Sequence, residues 1–125
     1  MYKALTIRKV RKMNKLGIMA ACKVLKMKDY EILETSWQCK HGEVDIIAKD
    51  NDELVFIEVN TRRDGLADEA ISASKRKRYE QIACDYLVNM NDVDFMVVRF
   101  DIISIQIIEN NRAFLRHHIN VFATA

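Results

Sequence analysis

The sequence has no proline, three glycines and three cysteines in 125 residues. With so little proline or glycine, no stretch reads as a linker. No internal repeat or low-complexity segment divides the chain either, so one domain spanning residues 1–125 is expected. A Gly-rich phosphate loop is excluded, and no Gly-x-Ser-x-Gly elbow occurs. Cys22, Cys39 and Cys84 are odd in number and widely spaced, which argues against a disulfide framework and for reduced thiols in a cytoplasmic protein. Cys39-x-His41 has the form of half a zinc site, but no second pair follows at a suitable spacing. Nothing approaches the length of a membrane span. The apolar part of "LGIMAAC", after a basic start, is too short for the core of an export signal.

Half of the residues are hydrophobic and 30% are charged, a globular composition. The net charge of +2 implies no partner by itself, but its distribution is uneven. Lys3, Arg8, Lys9, Arg11, Lys12, Lys15, Lys23, Lys26 and Lys28 all precede the first acid, Asp29. Residues 1–12 read as a basic, flexible extension, and Lys75-Arg76-Lys77-Arg78 form a second basic knot. Such clusters suit a polyanion such as DNA, or a solvated face.

Apolar spacing predicts a first helix over residues 13–28. Three strands follow, at 30–39, 43–49 and 53–60, with a turn at Gly42 and another at 50–52. Within the first strand, Tyr30 and Trp37 are read as core or interface. A long helix fits 68–90, with Ile71, Tyr79, Ile82, Ala83, Tyr86, Leu87 and Met90 on its apolar stripe. Residues 94–108 read as a strand bent at a polar break over 99–101, and 117–122 as a short helix or coil. There, His117 and His118 read as surface or packed histidines, or as nucleic-acid contacts. The order α-β-β-β-α-β combines a hairpin meander with one helical crossover, so the fold class is α/β with a mixed sheet flanked by helices.

One stretch resists that simple reading. "HGEVDIIAKDNDELVFIEVNTRRDG" places Glu43, Asp45 and Glu58 inside apolar strands, where an unpaired charge is costly. If the turn centres on Asn51 and Asp52, Ile47 faces Phe56, Asp45 faces Glu58 and Glu43 faces Asn60. The last four would form a polar square on one face. Carboxylates so opposed need a shared proton or a cation between them. Oxygen ligands of this type suit magnesium or manganese, with the Val59 carbonyl as a third ligand. Alternatively, Glu43 and Glu58 sit at strand ends paired with Arg62, Arg63 or lysines. A register slip of one residue would separate the acids.

"GEVDIIAKDNDELVFIEVNTR" resembles the signature of the YraN-like bacterial proteins, which are similar to archaeal Holliday-junction resolvases and other PD-(D/E)XK nucleases. The likeness extends to "KLGIMAACKVLKMKDYEIL", "EAISASKRKRYEQIACDYL", "VRFDIISI" and "HHIN", most of the chain. It implies a restriction-endonuclease-like core, a Mg or Mn cofactor held by Asp45 and Glu58, and binding or cleavage of branched or flapped DNA. A homodimer is implied as well. Two positions depart from the family pattern. Ile18 follows Gly17 where an acid is usual, and Asn60 stands where Lys or Arg is common.

Lys75 is the candidate for the displaced cation, since Ile71, Lys75 and Tyr79 share one helix face; it matches a family lysine, and otherwise it snorkels at the core edge. Asp45, Glu58, Asn60 and Lys75 are therefore the expected catalytic set. Glu43 is expected at the rim, and Arg62, Arg63, Lys75, Arg76 and Arg78 at the nucleic acid. A binding module of the same fold without the chemistry, or a protein-interaction domain, is the alternative.

Overall fold

The structure, a computed structural model, describes residues 6–62, 73–90, 97–108 and 112–122. Helix α1 (Ile7–Met27) leads into strands β1 (Glu31–Cys39), β2 (Gly42–Asp50) and β3 (Glu53–Arg62). Helix α2 (Ala73–Val88) then crosses to β4 (Val97–Ile108), and β5 (Arg112–His118) is the last described element. The sheet order is β1-β2-β3-β4-β5, with β3 and β4 parallel and every other pair antiparallel. This is the mixed sheet expected from the order of elements, extended by a fifth strand. Within the expected tail, His117 and His118 belong to β5 and not to a helix.

Helix α1 begins at Ile7, earlier than its apolar pattern indicates, so Ile7–Lys12 of the anticipated extension are helical. Thr6 caps it, its hydroxyl accepting the Lys9 amide at 3.2 Å. Asp29 ends it in the left-handed region at φ 67°.

The helices cover opposite faces. Ala21 and Leu25 of α1 pack with Ile46, Ala48, Val55, Ile57 and Ile103, whereas Tyr79, Ile82 and Ala83 of α2 pack with Val44, Ile47, Leu54 and Phe56. Helix α1 lies unusually close to β3. A Cβ on Gly17 would stand 2.2 Å from Thr61 Oγ1, so a side chain here must displace that hydroxyl. Trp37 sits in the second layer, edge-on to Tyr86 with ring centroids 5.1 Å apart.

The polar break expected within residues 99–101 is not a break; β4 runs straight through it, and its charges are buried. Arg99 grips both oxygens of Asp101 at 3.0 Å and also reaches Asp50, Glu53 and the Tyr30 hydroxyl. Asp50 and Glu53 are opposed across the β2–β3 turn, and the guanidinium between them cancels their repulsion. Asp101, 2% exposed, also meets His117 Nε2 at 2.7 Å and accepts the Asn120 amide at 2.9 Å. His117 is thus a packed histidine.

Burial alone would raise the Asp101 pKa. The bonds from His117, Arg99 and Asn120 outweigh it and hold the carboxyl below the ordinary carboxylate range. Its contribution to stability is therefore present above the unfolded-state pKa and is lost as pH falls through the depressed folded value. Asp101→Asn should lower stability by roughly 3 kcal/mol or more, because Arg99 then loses a buried counter-charge. Urea denaturation reads this as a lower midpoint at unchanged slope.

Candidate functional site

The β2–β3 ladder follows the register expected from the turn. Asp50 pairs with Glu53 and Ile47 with Phe56, around Asn51 at φ 52°. The ladder ends at Ile46↔Ile57, one step before the predicted Asp45–Glu58 pair. Val44 and Ile46 should share a face, yet Val44 packs against α2 and Ile46 against α1. Opposite this flip, Ser36 of β1 adopts φ 50°. The strand kinks at Asp45, and the polar square of four co-facial side chains does not form. Instead, Asp45 Oδ2 accepts the Val59 amide at 2.7 Å, taking the place of a ladder carbonyl. The distortion relieves a direct opposition of like charges and re-aims the side chain, as bulges near functional sites do.

The two acids nevertheless share one opening. Asp45, Glu58, Val59, Asn60 and Arg62 line one open cleft of about 320 Å³, completed by Asn14 and Ile18 of α1 and by Thr61. Lys75 reaches Glu58 from α2, with Nζ 2.6 Å from Oε1. The other Glu58 oxygen, Oε2, is buried with no hydrogen-bond partner among the described residues. Burial, followed by the charges of Glu58 and Glu43, pushes the Asp45 carboxyl from 3.8 up to about 6, against the Val59 amide and Lys75. Burial, then the charges of Glu58 and Asp45 and a hydrogen bond with the Glu58 carboxylate, raise the pKa of Tyr79. The cleft is rich in negative charge and poor in compensation.

The remaining expected residues divide. Glu43 is exposed at the rim of a larger groove of about 680 Å³, which Asp45 shares with Arg11, Lys15, Lys23 and Lys26 of α1. Arg62 reaches the cleft, and Arg63 lies outside the described residues. Arg76 and Arg78 are on the exposed side of α2. Arg76 pairs with Glu80 at 3.2 Å, and Arg78 lies over the Tyr79 ring at 5.7 Å. Ile18 faces the cleft, so its apolar side chain occupies the wall where the resemblance implies an acid. Sequence reasoning missed Asn14 and the Gly17–Thr61 contact. Asn14 stands one helical turn before Ile18, a spacing that would have found it. Nothing in the sequence pairs Gly17 with Thr61.

A mixed sheet between two helices, with a carboxylate cleft where β2 parts from β3, defines a small α/β domain built around one acidic site. The chain belongs to the uncharacterised protein family UPF0102, whose model matches residues 19–105 and so includes both cleft acids. It is 38% identical over 98 residues to a UPF0102 protein of Caldicellulosiruptor saccharolyticus, covering 76% of this chain and 82% of that one. A UPF0102 protein of Alkaliphilus oremlandii is 35% identical over 116 residues, 90% of this chain and 98% of its own. That of Clostridioides difficile is 35% identical over 109 residues, 85% and 92% respectively. No described helix is long and apolar enough to cross a membrane.

Because folding raises the Asp45 pKa, the native state holds this proton more tightly than the unfolded chain. Stability from this group is full below the unfolded value near 4 and declines as pH rises through about 6. Asp45→Asn should therefore stabilise the metal-free protein by about 1–3 kcal/mol at pH 8 and change little at pH 4. Thermal melts across that range measure the difference. Gly17→Ala should cost about 1–3 kcal/mol through the clash with Thr61. Adding Thr61→Ala should recover most of that loss, because the Thr61 hydroxyl is itself buried without a partner among the described residues.

Proposed function

We propose that the cleft binds a divalent metal ion, magnesium or manganese, and that the protein cleaves branched or flapped DNA. The unpartnered Glu58 Oε2 beside the raised-pKa carboxyl of Asp45 carries this reading. A buried carboxylate oxygen left without a donor costs free energy, and a hard cation among oxygen ligands removes that cost. Asp45, Glu58 and the Val59 carbonyl fit such an ion. When bound, it supplies charge neutralisation at a phosphodiester and activation of water. Lys75 holds Glu58 in place and brings a positive charge to the cleft, and Asn60 contributes a hydrogen bond at its wall. The likeness to PD-(D/E)XK nucleases supports the same assignment.

The basic surface favours a nucleic-acid substrate. Arg8, Lys9, Arg11 and Lys12 occupy the first turns of α1, where the helix dipole disfavours cations and no acid offsets them. Lys15, Lys23 and Lys26 continue the exposed positive surface along the groove that reaches Asp45. A phosphate backbone lying there would turn this repulsion into attraction. Arg62 at the cleft and the exposed Arg76 and Arg78 add further positive charge.

Ile18 and Asn60 favour a second reading, a DNA-binding module of the same fold that lacks the chemistry. Incubating the full chain with Mn²⁺ and a panel of branched, flapped and linear DNAs separates the two. The first reading expects metal-dependent cleavage reduced at least about a hundredfold in Asp45→Ala, with DNA affinity retained. It also expects Mn²⁺ to stabilise the native protein and not Asp45→Ala. Salt-sensitive binding without cleavage, unchanged in Asp45→Ala, would replace it with the second.

A further inference from the structure

A second cluster of metal-ligating side chains lies on the α2 face of the sheet, at the β1–β2 turn. Cys39 pairs with Gly42 across that turn, and Gly42 holds φ +136°, a conformation side-chain-bearing residues rarely adopt. The tight turn presents Cys39 and His41 together, and Asp85 in the last turn of α2 meets both. His41 Nδ1 stands 2.7 Å from Asp85 Oδ2, and the Cys39 thiol also hydrogen-bonds to Asp85. One ligand atom from each residue falls within 4.8 Å of the other two, and all three residues are half-buried.

The geometry points to a zinc site formed by Cys39, His41 and Asp85, independent of the Asp45–Glu58 cleft. One sulfur, one imidazole nitrogen and one carboxylate oxygen form a borderline-soft set that suits Zn²⁺ and not Mg²⁺. Three protein ligands leave a fourth position for water. Cys39 binds as the thiolate, its proton passing to solvent. The ion would tie the β1–β2 turn to α2, the helix whose Lys75 pairs with Glu58. In the sequence the Cys39-x-His41 pair reads only as half a site, because the third ligand arrives from a helix far along the chain.

Titration of the reduced full-length chain with Co²⁺ is the test, with Zn²⁺ as competitor. One equivalent of Co²⁺ should produce a near-ultraviolet thiolate-to-cobalt absorption that Zn²⁺ displaces, and Zn²⁺ alone should raise Tm. Cys39→Ser should abolish the band, and Asp85→Ala should weaken Zn²⁺ binding at least about tenfold. Cys84→Ser and Asp45→Asn should leave the band intact, which separates this site from the other thiols and from the cleft. Absence of the band in the native chain, or its survival in Cys39→Ser, would overturn the assignment.

Discussion

The hydrogen bond from the Val59 amide to the Asp45 carboxylate determines how the centre of this molecule is arranged. A regular ladder would set Asp45 directly against Glu58, two acids at the closest spacing a sheet allows. Here the side chain of Asp45 replaces a backbone acceptor, so β2 and β3 separate without stranding the Val59 amide. The strand that separates also switches faces between Val44 and Ile46, and Ser36 in the neighbouring strand takes up the twist at φ 50°. Helix α1 then closes one side of the opening. It can do so because Gly17 lets its backbone approach Thr61.

The fold treats its two groups of acids differently. Asp101 is fully engaged, by Nε and Nη2 of Arg99, by His117 and by a backbone amide. Asp50 and Glu53 share the remaining arm of Arg99. At the other end of β3, Asp45 has one amide, Glu58 has Lys75 on Oε1 and a hydrogen bond with the Tyr79 hydroxyl, and Oε2 is buried without a donor of its own among the described residues. A chain that can neutralise a buried carboxylate so thoroughly in one place has left a deficit in another. A local shortage of positive charge in a concave, partly buried position is the electrostatic pattern of a ligand site. The dense positive charge of α1 borders that shortage without neutralising it.

Much of this was legible in the residues. The turn at Asn51-Asp52 gave the hairpin register, the four-residue spacing of Lys75 and Tyr79 placed the lysine inward, and the apolar runs gave the first four strands. The errors share a cause. Arg99 and Asp101 looked like an interruption because their partners, Tyr30, Asp50, Glu53 and His117, are distant in sequence. In strand β5 the successive residues Arg112, Ala113 and Phe114 are all exposed, Phe114 to 67%, so as an edge strand it lacks the buried alternation that marks its neighbours. The basic start of α1 looked flexible because its side chains face solvent and carry no apolar period.

The sequence by itself determined the first six elements, the register of the central hairpin and the identity of the acids near its open end, because these depend on local periodicity and turn chemistry. Only the tertiary structure decided that Asp45 turns to the Val59 amide, that Lys75 and Glu58 meet, and that Cys39, His41 and Asp85 converge. Each of these joins elements separated along the chain. Their distances are set by how the helices seat on the sheet, which no local pattern encodes.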